Sequence, residues 1–196
     1  MIKNICVFCS SSDALAEVYN SEAERLAGLF LMESYNLIYG GAKVGLMGLL
    51  AKKMLRGNGH VTGVVPELIY NKNIADNSVS QLIVTRDMRS RKAKMDELAD
   101  AFLALPGGFG TLEELIEVIT LKQLEYHSKP IVIINTAGFY NKLIDFFEVF
   151  YDHDFAKNDY KSIYYVANDS DEAVSYLKNY KPSDTVSKWY KANLNI

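Results

Sequence analysis

The chain has 196 residues, a net charge of −3 and 49% hydrophobic residues. This length predicts one domain with a sizeable core, over residues 1–181, followed by a polar tail, residues 182–196. The slightly acidic balance gives no broad attraction for nucleic acid, so such a partner is not expected. No apolar run reaches the length of a membrane span and no signal-peptide pattern opens the chain, which predicts a cytoplasmic protein without membrane contact.

Short apolar runs alternate with helical patterns along the whole chain. The runs predict strands at 2–8, 37–39, 61–65, 81–85, 101–105, 131–134 and 163–166. The first helix is expected to follow the loop 9–13, to bury Ala16 and to end near Met32. Later helices are expected to end at about residue 56, to cover 87–98, to begin within 106–114, to cover 139–151, and to cover 170–177 with Ser170 or Asp171 as cap. The polar stretch 68–79 is expected to be a long loop with room for one helical turn.

This alternation predicts an α/β protein with a mostly parallel, doubly wound, seven-stranded sheet and helices on both faces. In such a sheet the loops after the strands share one edge, where ligands bind at the switch point. Segments distant in sequence should therefore meet at this edge, namely Ser10–Asp13, Gly40–Gly48, Glu67, Arg91 and Gly107–Glu114. Within these ranges, Gly41, Gly107, Leu112 and Glu113 are among the predicted substrate-binding residues.

A glycine-rich stretch, Pro106–Glu114, lies between the apolar run 101–105 and a helical pattern. Glycines on a strand-to-helix turn expose backbone N–H groups at a helix N-terminus, which favours an anion such as phosphate. The carboxylate of Glu114 follows within one helical turn. As an alternative, Thr111 and Glu114 form a capping-box pattern, in which both would be structural.

A second glycine-rich turn, Gly40–Gly48, follows the second strand. It lacks the closing Lys-Ser or Lys-Thr of a Walker loop and does not match G-x-G-x-x-G. Glu67 ends the next strand, where a dinucleotide fold places its ribose-binding acid, so a dinucleotide site stays open. Close packing of helix on strand is the alternative function of these glycines.

Three cations, Arg89, Arg91 and Lys92, open a predicted helix, where the helix dipole disfavours them. A bound anion would offset this cost, and a solvated basic face is the alternative. Because Arg91 and Lys92 are adjacent, one is expected to point inward and the other to lie at the rim. On the following helix, Glu114 and Thr120 are expected to point into the crevice.

The cysteines and histidines show no metal or redox pattern. Cys6 and Cys9 are spaced C-x-x-C, but residues three apart along a strand point to opposite faces, so packing is expected and a disulfide is not. His60, His127 and His153 are scattered without ligand spacing, so no metal site is predicted.

Taken together, these motifs resemble those of a known family. Pro106–Glu114 matches P-G-G-x-G-T-x-x-E, Met88–Lys92 is similar to M-x-x-R-K, and Tyr39–Gly41 with Gly45–Gly48 resembles an upstream glycine loop. These motifs are typical of the LONELY GUY family of cytokinin riboside 5'-monophosphate phosphoribohydrolases, often labelled lysine decarboxylases. The resemblance extends from Ile5 to about Val166.

The resemblance implies a Rossmann-like fold and a homodimer with sites near the subunit interface. It implies hydrolysis of purine nucleoside 5'-monophosphates to free base and ribose 5-phosphate, without cofactor or metal. Carried over by position, Arg91 and Glu114 are the catalytic pair. The substrate-binding residues it implies are Gly108, Phe109, Gly110 and Thr111 for the phosphate, with Lys92, Glu67 and Thr120 lining the site. Arg89, Ala42 and Ser10 depart from the residues that many members carry, which leaves base preference open.

The hydrolysis that this resemblance implies is also what a carboxylate beside a phosphate site could perform. Breaking a ribosyl–base bond builds positive charge on the sugar, which a carboxylate near C1' can stabilise while it orients water. A gripped 5'-phosphate positions the reacting centre. Two other hypotheses remain open from the sequence, namely a nucleotide-binding protein without turnover and a dinucleotide-dependent oxidoreductase.

Overall fold

The computed structural model describes residues 2–182, so Met1 and the predicted tail from residue 183 onward lie outside the described residues. Its strands are β1 (Asn4–Phe8), β2 (Asn36–Tyr39), β3 (Val61–Pro66), β4 (Gln81–Thr85), β5 (Ala101–Ala104), β6 (Ile131–Ile134) and β7 (Tyr165–Ala167). Its helices are α1 (Glu17–Met32), α2 (Gly45–Arg56), α3 (Glu67–Tyr70), α4 (Met88–Leu98), α5 (Phe109–Gln123), α6 (Asn141–Asp152) and α7 (Ser170–Asn179). Short 3-10 turns occupy Thr136–Gly138 and Asn158–Ser162.

All seven strands run parallel in one sheet, in the order β4-β3-β2-β1-β5-β6-β7. Val7 of β1 is paired in register with Tyr39 of β2 on one side and Leu103 of β5 on the other. The chain builds outward from β1 to β4 and then returns to start β5 beside β1. A crevice therefore opens at the carboxyl ends of β1 and β5, the switch point of the sheet.

The core forms two apolar layers, one on each face of the sheet. Side chains alternate between them along each strand, so Val7 belongs to one layer and Cys6 to the other. Helices α1, α2 and α7 cover the first layer, and α4, α5 and α6 cover the second. The predicted Rossmann-like, doubly wound sheet is thus confirmed, and it is wholly parallel because every connection between strands is a crossover.

Cys6 and Cys9 are both buried free thiols in opposite layers of the core. Burial raises the pKa of each thiol. The expectation of packing without a disulfide is therefore confirmed. No helix in residues 2–182 combines the length and the apolar character that crossing a membrane requires.

Two predicted helix starts were wrong. α1 begins at Glu17, and Ala16 is exposed instead of buried, because the loop before it serves α2: Gly45 N donates to Asp13 Oδ1 at 2.8 Å. α6 begins at Asn141 rather than Phe139, because Tyr140 has non-helical dihedral angles (φ −92°, ψ 4°) and its N–H donates to Asn135 Oδ1.

The C-terminal elements also differ from their prediction. β7 begins at Tyr165, because Ile163 still has helical dihedral angles at the end of a 3-10 turn. The cap of α7 is Asp169, whose side chain accepts from Glu172 N at 2.9 Å, so the choice of Ser170 or Asp171 was wrong. The stretch 68–79 does contain one helical turn, the end of α3.

Candidate active site

A cavity of about 420 Å³ opens at the switch point, bounded by the loop after β1, the start of α4 and the start of α5. The sequence placed these segments at one edge, and the structure brings them together. The predicted site residues that line this cavity are Ser10, Arg91, Gly108, Phe109, Gly110, Thr111, Glu113 and Glu114.

The N-terminus of α5 faces this cavity. Gly108 is the N-cap, and the first helical hydrogen bond runs from Leu112 N to Gly108 O at 3.0 Å. The N–H groups of Phe109, Gly110 and Thr111 therefore have no carbonyl partner within the helix. The capping-box alternative was wrong, because the helix begins two residues before Thr111 and Glu114 lies inside it. These amides and the helix dipole form a site suited to an anion.

The glycines of this turn have different functions. A Cβ at Gly107 would lie 2.1 Å from Thr111 Oγ1, so this glycine is needed for packing. A Cβ at Gly108 or Gly110 would meet nothing within 4 Å. Since neither position has a positive φ, packing and backbone conformation leave these two glycines unexplained. Open space above exposed amides is what a ligand in contact with the backbone requires.

Arg91 and Glu114 form a buried ion pair beside the anion site. Arg91 Nη1 lies 2.8 Å from Glu114 Oε1, and Arg91 Nε donates to Val64 O at 3.1 Å. The two residues are 9% and 7% exposed, so the prediction that one of the adjacent cations points inward is confirmed for Arg91. Gly40 makes room for the guanidinium, because a Cβ there would lie 2.2 Å from Arg91 Nη2.

The electrostatics of Glu114 reflect this burial. Burial raises the pKa of its carboxyl, and the Arg91 guanidinium opposes that effect without cancelling it. Among residues 2–182 the hydrogen bond from Arg91 to Oε1 is the one found for this carboxylate. Glu114 is therefore held in place at one oxygen while its other oxygen remains available to a ligand.

Lys92 lies at the rim and is neutralised there. It contacts Glu113 and lies 2.9 Å from Glu117, so two acids of α5 hold this cation. Burial alone would lower the pKa of Lys92, but the hydrogen bonds to both acids raise it overall.

A second cavity, of about 350 Å³, lies between α4 and α5 and shares Phe8 and Glu114 with the first. Its apolar lining includes Phe8, Phe102, Val118 and Leu121. Its polar lining comprises Arg89, Lys92, Asp96, Glu114 and Glu117. Glu114 thus stands at the border between the cavity at the N-terminus of α5 and one whose lining is half apolar and half charged.

The glycine turn before α2 serves packing. Ser10 O accepts from Leu46 N at 3.0 Å and Asp13 accepts from Gly45 N, so the loop after β1 occupies this helix N-terminus. Gly41 has a φ of 73°, and a Cβ there would lie 3.2 Å from Val65. With those amides satisfied, the geometry disfavours a dinucleotide pyrophosphate at this turn.

Several predicted residues lie outside the two cavities within this single chain. They are Gly41, Glu67, Gly107, Leu112 and Thr120. Glu67 is exposed at the start of α3, and the exposed Thr120 donates its hydroxyl to Ile116 O at 2.7 Å instead of pointing into the crevice. Their contact with substrate stays a prediction.

Other residues line the first cavity without having been named individually as site residues, namely Val7, Phe8, Cys9, Ser11, Ser12, Gly40, Met47 and Met88. Ser11, Ser12, Gly40 and Met47 lie in the two segments that were predicted to meet at this edge, and Met88 opens the motif that contains Arg91. Val7, Phe8 and Cys9 lie at the end of β1 and carried no signal beyond their apolar character. Among residues 2–182, no group of three or more His, Cys, Asp or Glu side chains is placed to hold a metal.

Comparison with known proteins identifies the family. The family model described as possible lysine decarboxylase matches residues 47–177. Among curated relatives, the cytokinin riboside 5'-monophosphate phosphoribohydrolase LOG5 of Arabidopsis thaliana is 41% identical over 180 residues, 92% of this chain and 79% of the relative. LOG2 of the same plant, named for the same activity, is 39% identical over 188 residues, 95% of this chain and 88% of the relative.

Solved structures match the fold. The molybdenum cofactor carrier protein of Chlamydomonas reinhardtii superimposes with a TM-score of 0.67 at 20% identity, covering 91% of this chain and 97% of that one. The molybdenum cofactor binding protein of Rippkaea orientalis gives 0.66 at 19% identity, covering 91% and 96%. At such identity these structures share the architecture alone. The sequence relatives and the family model go further: this chain belongs to the LONELY GUY family, whose model is described as possible lysine decarboxylase.

Proposed function

We propose that this protein hydrolyses the N-glycosidic bond of purine nucleoside 5'-monophosphates, releasing free base and ribose 5-phosphate. The proposal is carried by the position of Glu114, which is paired with Arg91 and borders a cavity that exposes the amides of α5. The names of the relatives at 39–41% identity support the same reaction.

The two cavities suggest how the nucleotide lies. Its 5'-phosphate sits on the N–H groups of Phe109, Gly110 and Thr111, where the helix dipole favours negative charge. C1' of the ribose lies at Glu114, which the cavities share. The base extends into the second cavity, whose 350 Å³ leave room beyond a purine for a substituent.

The chemistry assigns a role to each member of the ion pair. The bond between C1' and the base nitrogen breaks, water supplies the new oxygen on C1', and a proton passes to the departing base. Ionised Glu114 stabilises the positive charge that develops on the sugar and orients the attacking water. Arg91 holds the carboxylate ionised and fixed in direction, because its own guanidinium is anchored on Val64 O.

We further propose N6-substituted adenosine monophosphates, the cytokinin type, as preferred substrates, with AMP as the simpler one. The relatives are named for cytokinin ribosides, and the wall of Phe8, Phe102, Val118 and Leu121 suits an apolar substituent.

A homodimer with sites near its interface is also proposed. Helix α5 presents an exposed stripe in which Phe109, Ile116 and Leu124 are 93%, 37% and 38% exposed. Thr120 lies on the same stripe, so it would reach a substrate across an interface. Light scattering on the purified protein checks this, and a monomer at micromolar concentration would refute it.

We propose the cytoplasm, where nucleotides are available, as its location.

The reaction is tested by incubating the protein with AMP and with N6-isopentenyl-AMP, and by chromatography of the products. Free base and ribose 5-phosphate are expected, and adenosine should be a poor substrate because it lacks the phosphate. A folded protein that releases no base from any purine monophosphate contradicts the proposal. AMP that raises the melting temperature but is recovered intact would establish a binding protein instead.

A further inference from the structure

The segment that leads into the anion site is held by a buried tyrosine from the neighbouring strand connection. Tyr140, 4% exposed, donates its hydroxyl to Leu105 O at 2.8 Å. Gly107 follows two residues later, at the turn itself. Pro106 between them has no N–H of its own. The Tyr140 hydroxyl therefore holds the strand side of the turn that precedes α5, two residues before Gly107.

Tyr140 is itself fixed by the turn after β6. Asn135 Oδ1 accepts from Tyr140 N at 2.7 Å, while Asn135 Nδ2 donates to Asn141 Oδ1 at 2.7 Å. Asn135 N in turn donates to Ala167 O at 2.7 Å. The phenol is thus attached to the end of β6, and through Asn135 to the end of β7.

The position of Gly107 also determines the position of Thr111. Only a hydrogen on the Gly107 Cα fits there, because a Cβ would lie 2.1 Å from Thr111 Oγ1. Thr111 supplies one of the amides that face the first cavity. A displacement of Gly107 would therefore be passed directly to the anion site.

From this chain of contacts we propose that Tyr140 is a positioning residue for phosphate binding, acting through Leu105 and Gly107 on the first turn of α5. It touches neither the reacting atoms nor the first cavity, so its effect falls on binding of the 5'-phosphate and leaves the bond-breaking step unchanged. The inference rests on the proposed function only in taking phosphate as the anion.

The hydroxyl remains a donor over the working pH range, because burial raises the pKa of the Tyr140 phenol. Its loss leaves the Leu105 carbonyl buried without its partner. The segment that leads into the turn then becomes free to move.

The test is Tyr140→Phe, with Tyr151→Phe as matched control. Tyr151 is also a buried tyrosine, but its hydroxyl bonds to the Tyr164 hydroxyl, at 3.2 Å, away from the turn. Calorimetric titration with inorganic phosphate and with ribose 5-phosphate measures anion binding without turnover. KM and kcat for AMP are measured in parallel, together with melting temperatures.

For Tyr140→Phe we expect phosphate affinity to fall and KM to rise about 3- to 10-fold, the effect of one neutral hydrogen bond, with kcat within about 2-fold. Tyr151→Phe should change neither. If Tyr140→Phe does not fold, Asn135→Ala is expected to weaken phosphate binding in the same direction.

Equal phosphate affinity in wild type and Tyr140→Phe, or a wild type that binds no phosphate, would overturn the inference. A fall in melting temperature with unchanged KM would do so as well, since that marks a role in stability alone. A wild type that binds phosphate but hydrolyses no nucleotide would overturn the proposed reaction. The phosphate titration of Tyr140→Phe would still test the positioning role of Tyr140.

Discussion

Arg91 and Glu114 come from different helices, 23 residues apart in sequence, and meet with Nη1 and Oε1 separated by 2.8 Å. Arg91 lies in the first turn of α4 and reaches over β3, while Glu114 lies in the second turn of α5. Each is anchored by packing, and the shared border of the two cavities lies at the carboxylate. The buried Arg91 guanidinium thus fixes the Glu114 carboxylate beside both cavities through a protein hydrogen bond instead of a bond to water.

Replacing Glu114 by Gln is expected to lower kcat at least about 100-fold, because the amide has no charge to stabilise the developing cation. The amide oxygen can still accept from Arg91, so nucleotide binding should persist. The measurement is kcat and KM for AMP beside an AMP titration. Glu97→Gln, which removes an exposed acid on α4, serves as control and should leave kcat unchanged. Retained turnover in Glu114→Gln would remove this residue from the mechanism.

The raised pKa of Glu114 predicts a pH dependence of stability. The pKa of the Glu114 carboxyl is higher in the folded chain than in the unfolded chain. The folded chain therefore binds more protons between pH 4.5, the ordinary pKa of glutamate, and the pKa of Glu114 in the folded chain. The stabilisation is complete below the ordinary value and is lost as the pH rises through the folded value. Urea unfolding at several pH values should show wild type losing stability relative to Glu114→Gln across that window. A constant difference would contradict the shift.

The raised pKa of Glu114 also predicts how activity depends on pH. If ionised Glu114 acts in the reaction, kcat/KM for AMP should rise with pH through an apparent pKa above the 4.5 of a free glutamate. A profile that levels off at or below that value would argue that a different group limits the rate.

Gly110→Ala separates ligand binding from packing. The added methyl meets no atom within 4 Å beyond its chain neighbours and the adjoining helix backbone, and alanine in a helix is more favourable than glycine, so stability should rise by about 0.5–1 kcal/mol. The methyl stands over the exposed amides, so KM for AMP should rise at least about 10-fold. Gly107→Ala is the control and should lose stability, because its Cβ collides with Thr111. Unchanged KM in Gly110→Ala would place the phosphate elsewhere.

Leu121→Phe tests the second cavity as the base site. A phenylalanine ring is larger than the leucine side chain and narrows the cavity at its apolar wall, so KM for N6-isopentenyl-AMP should rise about 10-fold relative to KM for AMP. Met32→Phe adds a ring at an exposed position of α1, outside both cavities and the proposed interface, and should leave the ratio unchanged. Equal effects on both substrates would show that the substituent does not enter this cavity.

Much of the fold was predictable because its signals are local. Buried parallel strands are continuous apolar runs, and helices repeat their apolar positions, so the order of elements followed from pattern alone. Element ends were harder to predict because they depend on distant partners. The loop 9–13 lies just before α1 in the sequence, but in the folded chain its Asp13 side chain accepts from Gly45 N of α2. A sequence pattern does not contain that pairing.

The candidate site divides in the same way. By itself, the amino-acid sequence predicted the strand-to-helix turn at Gly108, the edge of the sheet where it lies, and the meeting of Arg91 and Glu114 at that edge, because glycine, charge and alternation act locally. Only the tertiary structure decided that Gly107 is for packing while Gly108 and Gly110 leave open space, that Lys92 is neutralised by two acids, and that Glu114 borders two cavities. Those features depend on which atoms of distant segments come within a few ångströms, a distance that sequence spacing does not encode.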